Sequence, residues 1–177
     1  MDLFRSITEF RVTYDDEHID LINFFCSSDG ADRKSGGVSE EDKQDKLFNT
    51  YYKLLMMAIL IGIRHDTYDQ KLEKRKSSNE TTHFYNYKPR NVTKMIFTAC
   101  LTHKTMDKSL FDVENFDDAE LDKLKIDIRD LVEAFANGGL AILKDKMFNE
   151  SNPSKVEVTN IQDVFTVYDE LMKVEAT

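Results

Sequence analysis

The sequence has few of the residues that interrupt helices or cross-link chains. Its 177 residues include only two prolines, six glycines and two cysteines, and no tryptophan. Scarce proline and glycine favour helices, because both residues break or weaken them. Cys26 and Cys100 form neither a metal-like pair nor a disulfide-dense pattern. We therefore expect two reduced, buried thiols and a cytoplasmic protein.

The sequence also lacks an excess of basic charge and a long apolar run. It has 24 Lys and Arg against 33 Asp and Glu, a net charge of −9. Such a surface is poorly suited to grip nucleic acid as a whole, because phosphate neutralisation supplies most non-specific affinity. The longest apolar run, Leu54–Ile63, is about half a membrane span, and the N terminus does not resemble a signal peptide. We expect no membrane association.

Motifs of known chemistry are missing as well. There is no Gly-rich phosphate loop, no GxSxG and no HExxH. The four histidines, His18, His65, His83 and His103, have no i+4 partner and no nearby cysteine, so we expect no metal site and no cofactor. Carboxylates are numerous, but none forms a convincing acid–base pair. We expect no catalytic residues and a protein that is not an enzyme.

The strongest pattern that is present lies between Phe116 and Phe148. Asp117 and Glu120 predict a capping box at a helix start, with Phe116 and Leu121 as a hydrophobic staple. Apolar residues then recur every three or four positions up to Phe135, which places them on one buried helix face, and the same spacing resumes at Leu140 after the Asn-Gly-Gly run. They are Leu121, Leu124, Ile128, Leu131, Phe135, Leu140, Leu143 and Met147. Carboxylates fall on the other side and indicate a solvated face. They are Asp118, Asp122, Asp127, Asp130 and Glu133.

The run Asn137-Gly138-Gly139 interrupts this pattern. Asn and Gly tolerate the left-handed backbone that ends a helix, so the run predicts a C-cap followed by a second helix. One glycine is enough for a cap. The second leaves an alternative, in which small residues let another backbone, or a phosphate, come close.

The rest of the chain predicts a mainly α fold. Helices are expected over about 16–26 and 46–64, from Pro89, and from about Thr159 with an apolar stripe that includes Phe165. The 46–64 helix is apolar on two faces, which is typical of the middle of a bundle, and Gly62 in it is a close-packing point or a C-terminal weakening. We expect one helical domain over 1–177. It has a short N-terminal strand at Phe10–Tyr14 and mobile inserts at about 27–45 and 66–88.

One basic segment goes against the overall acidity. It runs through about residues 64–90 and includes the aromatic run Phe84–Tyr87. Cations beside aromatics can bind single-stranded nucleic acid, by neutralising phosphates and stacking bases. The alternative is a solvated loop whose aromatics pack at the edge of the core. The candidate nucleic-acid or partner contacts are Arg64, His65, Lys71, Lys74, Arg75, Lys76, Lys88 and Arg90.

The apolar run Leu54–Ile63 followed by Arg64, together with the later run Phe135–Leu140, resembles a family of small proteins from bacterial antiphage loci, the DNA phosphorothioation (Dnd)-associated proteins of the fourth type. In that family an apolar helix ends in a Gly-Phe/Ile-Arg/Lys motif, which Leu54–Ile63 followed by Arg64 resembles. A later Tyr-Ala-Asn-Gly-Gly-like motif followed by Leu is similar to Phe135–Leu140, with Phe in place of Tyr. The resemblance covers roughly residues 46–148. It departs from the family pattern at the long inserts 27–45 and 67–87.

The resemblance implies a non-catalytic accessory subunit of a bacterial antiphage defence complex. Such a subunit docks on a larger DNA-sensing ATPase or nuclease from the same locus and reaches DNA through it. The chain could equally be the small subunit of another multi-gene defence system, built on an SMC-like ATPase and a nuclease. Two alternatives stay open: a nucleic-acid-binding adaptor that uses the basic 64–90 segment, and a phage-encoded acidic inhibitor of a defence system.

Overall fold

The computed structural model describes residues 3–26, 47–48, 50–68, 82–106, 116–153, 155–158 and 161–173. This part of the chain forms six α-helices and no strand, which confirms the mainly α prediction. The helices are α1 (Leu3–Thr8), α2 (Ile19–Phe25), α3 (Tyr51–Arg64), α4 (Arg90–Leu101), α5 (Asp118–Phe148) and α6 (Ile161–Met172). Short 3₁₀ turns lie at Asp16–His18 and Phe84–Asn86. The predicted insert at 27–45, and 69–81 of the second insert, lie outside the described residues.

Helix α5 begins after Asp117, as the sequence predicts. The Asp117 carboxylate accepts a hydrogen bond from the Glu120 backbone N–H at 2.8 Å. The Glu120 carboxylate accepts one in return from the Asp117 N–H at 2.9 Å, which completes the capping box. Leu124, Ile128 and the later apolar positions of this face are buried, while Leu121 is half-buried. The predicted capping and apolar face of α5 are confirmed.

The predicted end of this helix at Asn137 is wrong. α5 continues through Asn137-Gly138-Gly139 for 31 residues in all. A Cβ on Gly139 would lie 2.6 Å from the carbonyl carbon of Ala58 and closer still to its oxygen, and one on Gly138 would lie 2.8 Å from the carbonyl carbon of Thr67. Real Cβ atoms do not come so close. The glycines therefore admit two neighbouring backbones, which is the alternative that the second glycine left open.

Helix α3 supplies the matching contact from its own side. It is buried from Leu54 to Ile59 and again at Ile61 and Gly62, as expected for the middle of a bundle. A Cβ on Gly62 would lie 2.9 Å from the carbonyl carbon of Phe135 in α5. Gly62 is thus a close-packing point. Because each helix places a glycine against the other's backbone, α3 and α5 approach more closely than larger side chains would permit.

The predicted N-terminal strand is reduced to a single β-bridge between Arg11 and His83. The Phe84 N–H donates to the Phe10 carbonyl at 2.7 Å, and beyond that point the partner segment turns into the 3₁₀ turn Phe84–Asn86. A strand needs a partner that stays extended, and this partner does not.

The other helices follow the predicted positions with small shifts. Cys26 and Cys100 are buried free thiols, and burial raises the pKa of Cys100 to about 12. In α6 the buried residues include Val164 and Val167, whereas Phe165 is 44 % exposed, so its predicted place in the apolar stripe is wrong. Within the described residues, no helix is both long enough and apolar enough to cross a membrane.

We predict that Gly139→Ala destabilises the protein strongly. On an exposed helix face this change stabilises by about 1 kcal/mol through helix propensity. Here the added methyl group meets the Ala58 backbone, and overpacking of this kind costs about 3 kcal/mol. Urea unfolding followed by circular dichroism measures the difference. The control is Ala141→Gly on the exposed side of α5, which should lose only about 1 kcal/mol. A more stable Gly139→Ala variant would contradict the close contact.

Candidate functional site

The three residues of the Asn-Gly-Gly run face three different parts of the chain. Successive helix residues point about 100° apart. Asn137 Oδ1 accepts a hydrogen bond from the Asp15 N–H at 2.8 Å, in the segment before α2. Gly138 faces the backbone of Thr67, and Gly139 faces Ala58 of α3. The run is therefore a packing junction, and protein backbone occupies the space that a phosphate would need.

Glu133, one turn earlier, belongs to the same junction. Its Oε1 accepts hydrogen bonds from the Thr13 N–H at 2.8 Å and the Thr13 hydroxyl at 2.7 Å. Its backbone carbonyl accepts one from the Asn137 amide at 2.9 Å. Glu133 is only 4 % exposed, so the prediction that it lies on the solvated face is wrong. The Thr13 N–H and hydroxyl that bind its carboxylate lie 120 residues away, so the local sequence does not predict this contact.

Two of the candidate contact residues, Arg64 and His65, tie the end of α3 to the end of α6. Arg64 Nη2 donates to the Lys173 carbonyl at 2.8 Å. His65 Nε2 lies 2.8 Å from the Leu171 carbonyl, to which it can only donate. The last carbonyls of a helix have no partner within the helix, and side-chain N–H donors can satisfy them. Both residues are engaged within the protein.

Next to them, Asp66 holds a left-handed backbone with φ of 48°. The Thr67 N–H donates to the Gly62 carbonyl at 2.9 Å and the Asp66 N–H to the Ile63 carbonyl at 3.2 Å, which is a Schellman end for α3. Glycine is usual at this position. Aspartate replaces it here because its carboxylate reaches across to α4.

The partners of that carboxylate are His103 and Lys104, just beyond α4. The Lys104 ammonium hydrogen-bonds Asp66 Oδ2, and His103 Nε2 lies 2.9 Å from Asp66 Oδ1. These two bonds hold the pKa of Asp66 below its usual range, and the bond to Asp66 raises the pKa of Lys104. His103 Nδ1 meets the Thr105 hydroxyl at 2.7 Å. The cluster joins the ends of α3 and α4, and no sequence pattern predicts it, because Asp66 and His103 are 37 residues apart.

The aromatic run of the basic segment packs inward in part. Phe84 and Tyr87 are fully buried, so neither can stack on a base. Tyr85 is half-buried, and the guanidinium of Arg5 lies 5.1 Å from its ring centroid. Of the cations, Lys71, Lys74, Arg75 and Lys76 lie outside the described residues.

The remaining candidate contacts, Lys88 and Arg90, are exposed at the start of α4. Lys94 follows Arg90 by four residues on the same helix face, and its ammonium lies 5.9 Å from the ring centroid of Phe4 in α1. Together with Arg5 these three residues form what we call the α4 basic surface. Arg5 and Lys94 were not among the residues predicted from the sequence, although Lys94 lies in the stretch 81–106, which contains no Asp or Glu.

These features define a small helical protein. Most of the polar contacts given above connect helix ends with one another or hold the N-terminal segment on the core. The two segments that carry the family resemblance touch each other, since Gly62 packs on Phe135. Within the described residues, no three His, Cys, Asp or Glu side chains are grouped as a metal ion would require.

The chain belongs to the family of DNA sulphur modification system-associated protein 4. The family model matches residues 36–165, about three quarters of the sequence. This match confirms the resemblance and extends it on both sides of residues 46–148. No curated protein and no solved structure matches the chain.

We predict that the double substitution Arg64→Ala and His65→Ala loosens α6. Both changes remove donors to the last carbonyls of that helix, so its amides should exchange hydrogen faster while those of residues 54–61 keep their protection. Hydrogen exchange with mass spectrometry measures both segments. The control is Lys88→Ala with Arg90→Ala, two exposed cations at the start of α4. Equal rates of amide hydrogen exchange in α6 for the two double variants would show that Arg64 and His65 do not hold this helix in place.

We also predict a pH-dependent contribution from Asp66. Its pKa is lower in the folded protein than the unfolded value of about 3.9, so its stabilising effect is present above that value. The effect is lost as the pH falls through the folded pKa. Asp66→Asn keeps the left-handed tolerance but removes the charge. Wild type should be the more stable form at neutral pH, and the difference should vanish in acid.

Denaturant unfolding across a pH series measures this difference. Lys104→Gln removes the partner charge and should reproduce much of the effect. Because the carboxylate is exposed to solvent, high salt should shrink it. A difference between wild type and Asp66→Asn that is constant from acid to neutral pH would rule out the charge pairing.

Proposed function

We propose that this chain is a non-catalytic accessory subunit of a DNA sulphur modification system. In this role it docks on a larger subunit of the same locus, an ATPase or a nuclease, and serves in bacterial antiviral defence in the cytoplasm. The observation that carries the proposal is the family match over residues 36–165, because the family is described by its association with such a system.

An exposed aromatic pair supports a docking role. Phe24 of α2 is 47 % exposed and Phe148, the last residue of α5, is 39 % exposed. Their ring centroids are 5.2 Å apart in an edge-to-face arrangement, and the buried Phe25 lies 4.9 Å from Phe24. Adjacent aromatic rings on a rigid base are typical of the energetic centre of a protein interface. We call this feature the Phe24–Phe148 patch.

The surroundings of the patch suggest the chemistry of its partner. Asp20 lies one turn before Phe24 on α2, and Asp145 lies one turn before Phe148 on α5, and both are exposed. Exposed carboxylates one helical turn from these aromatic residues favour a partner surface that combines apolar and basic groups, because complementary charge raises the association rate. The larger subunit is expected to present such a surface.

We predict that Phe24→Ser with Phe148→Ser abolishes the complex with the larger subunit. The chain is co-expressed with the neighbouring genes of its locus, and light scattering gives the mass of the purified product. Wild type should elute as a stoichiometric heteromer and the double variant alone. Phe165→Ser is the matched control, since Phe165 is an exposed aromatic of α6. Thermal unfolding checks that each variant is folded.

Two results would count against this function. Recovery of the wild-type chain alone, with its neighbours present, would contradict the docking. Loss of protection against phage on co-expression with an intact defence system would identify an inhibitor instead of a subunit.

A further inference from the structure

We propose that the α4 basic surface, formed by Arg5, Lys88, Arg90 and Lys94, binds the sugar–phosphate backbone of double-stranded DNA without reading its sequence. This contact is separate from docking on a protein subunit, and it does not depend on the Phe24–Phe148 patch. The probe that tests it is a DNA duplex alone.

The first support is the distribution of charge. The protein carries a net charge of −9, yet residues 81–106 contain no Asp or Glu. In the described part of the chain, no carboxylate pairs with Lys88, Arg90 or Lys94. A cation that has no carboxylate beside it keeps its full attraction for phosphate. These three cations are thus a local exception to the acidity of the whole molecule.

The second support is the geometry of α4. Arg90 and Lys94 are four residues apart, so they lie on one face with a rise of about 6 Å between them. Thr98, one turn further, is also exposed and uncharged. A row of cations along one helix face can follow a row of phosphates. Phosphate contacts of this kind fix position and give no sequence information.

The third support is the way α1 packs beside α4. Phe4 meets Phe97 of α4 with ring centroids 5.3 Å apart, and the Lys94 ammonium lies above the Phe4 ring. On the next residue, the Arg5 guanidinium lies over Tyr85. Aromatic rings hold these two long cationic side chains in place. Less conformational freedom is then lost when a phosphate binds.

The same contacts favour duplex DNA over a single strand. Single-strand binding relies on open aromatic faces on which bases stack. Phe84 and Tyr87 are buried, and Arg5 covers Tyr85. The surface therefore offers cations without a stacking platform, which suits the backbone of a duplex.

The test measures binding of the isolated chain to a fluorescein-labelled DNA duplex of mixed sequence by fluorescence anisotropy over a salt series. Arg90→Gln with Lys94→Gln should weaken binding at low salt by about tenfold or more, and should reduce the slope of log K against log salt by about 2. The matched control is Lys123→Gln with Lys125→Gln on α5, which removes the same charge and should stay close to wild type.

Four results would overturn the proposal. They are no binding of the duplex at low salt, equal losses in the two double variants, tighter binding of a single strand than of the duplex, and equal affinity for an acidic peptide. The second would show a net-charge effect only. The last would identify an acidic protein as the ligand. Circular dichroism of each variant ensures that a loss of binding is not a loss of fold.

Discussion

The fold depends on the direct contact between the backbones of α3 and α5. Gly62 lies on Phe135, and Gly139 lies on Ala58, so each helix gives up a side chain at the point where the other approaches. Every residue from 131 to 140 is buried, which means that α5 is enclosed on all sides at its middle. Interiors pack as densely as organic crystals, so such a junction has no room for an added methyl group. Other elements take their positions from this enclosed stretch.

Hydrogen bonds from the polar groups at the junction determine where the N-terminal segment lies. A buried carboxylate or amide is costly unless it is hydrogen-bonded. Glu133 and Asn137 satisfy that demand with the backbone of Thr13 and Asp15, and so fix where the chain runs before α2. The preceding α1 then lies beside α4, where Phe4 meets Phe97. The placement of Arg5 next to the start of α4 is thus a consequence of the core.

Features that depend on residues close together in the sequence were predicted correctly. Features that depend on contacts with a distant part of the chain were not. The capping box at Asp117 and Glu120 involves residues three apart, and its prediction was correct. The run Asn137-Gly138-Gly139 is compatible both with a helix end and with a close contact between helices. The contacts with the backbones of Ala58 and Thr67 show that the second is correct. Arg64 and His65 were recognised as candidate contacts, but their role depends on carbonyls more than 100 residues away. The family resemblance survived these errors because it rests on residue identity rather than on helix ends.

Net charge and local charge act at different distances in this protein. An overall charge of −9 opposes binding to DNA in free solution, so the few cations that we propose to contact DNA would bind it weakly on their own. A protein interface changes this balance. Once a chain is held on a subunit that is already bound to DNA, its second contact becomes intramolecular, with an effective concentration that reaches the millimolar range. Under these two proposals, the acidic body weakens the contact of the isolated chain with a duplex, and docking on a DNA-bound subunit strengthens that contact.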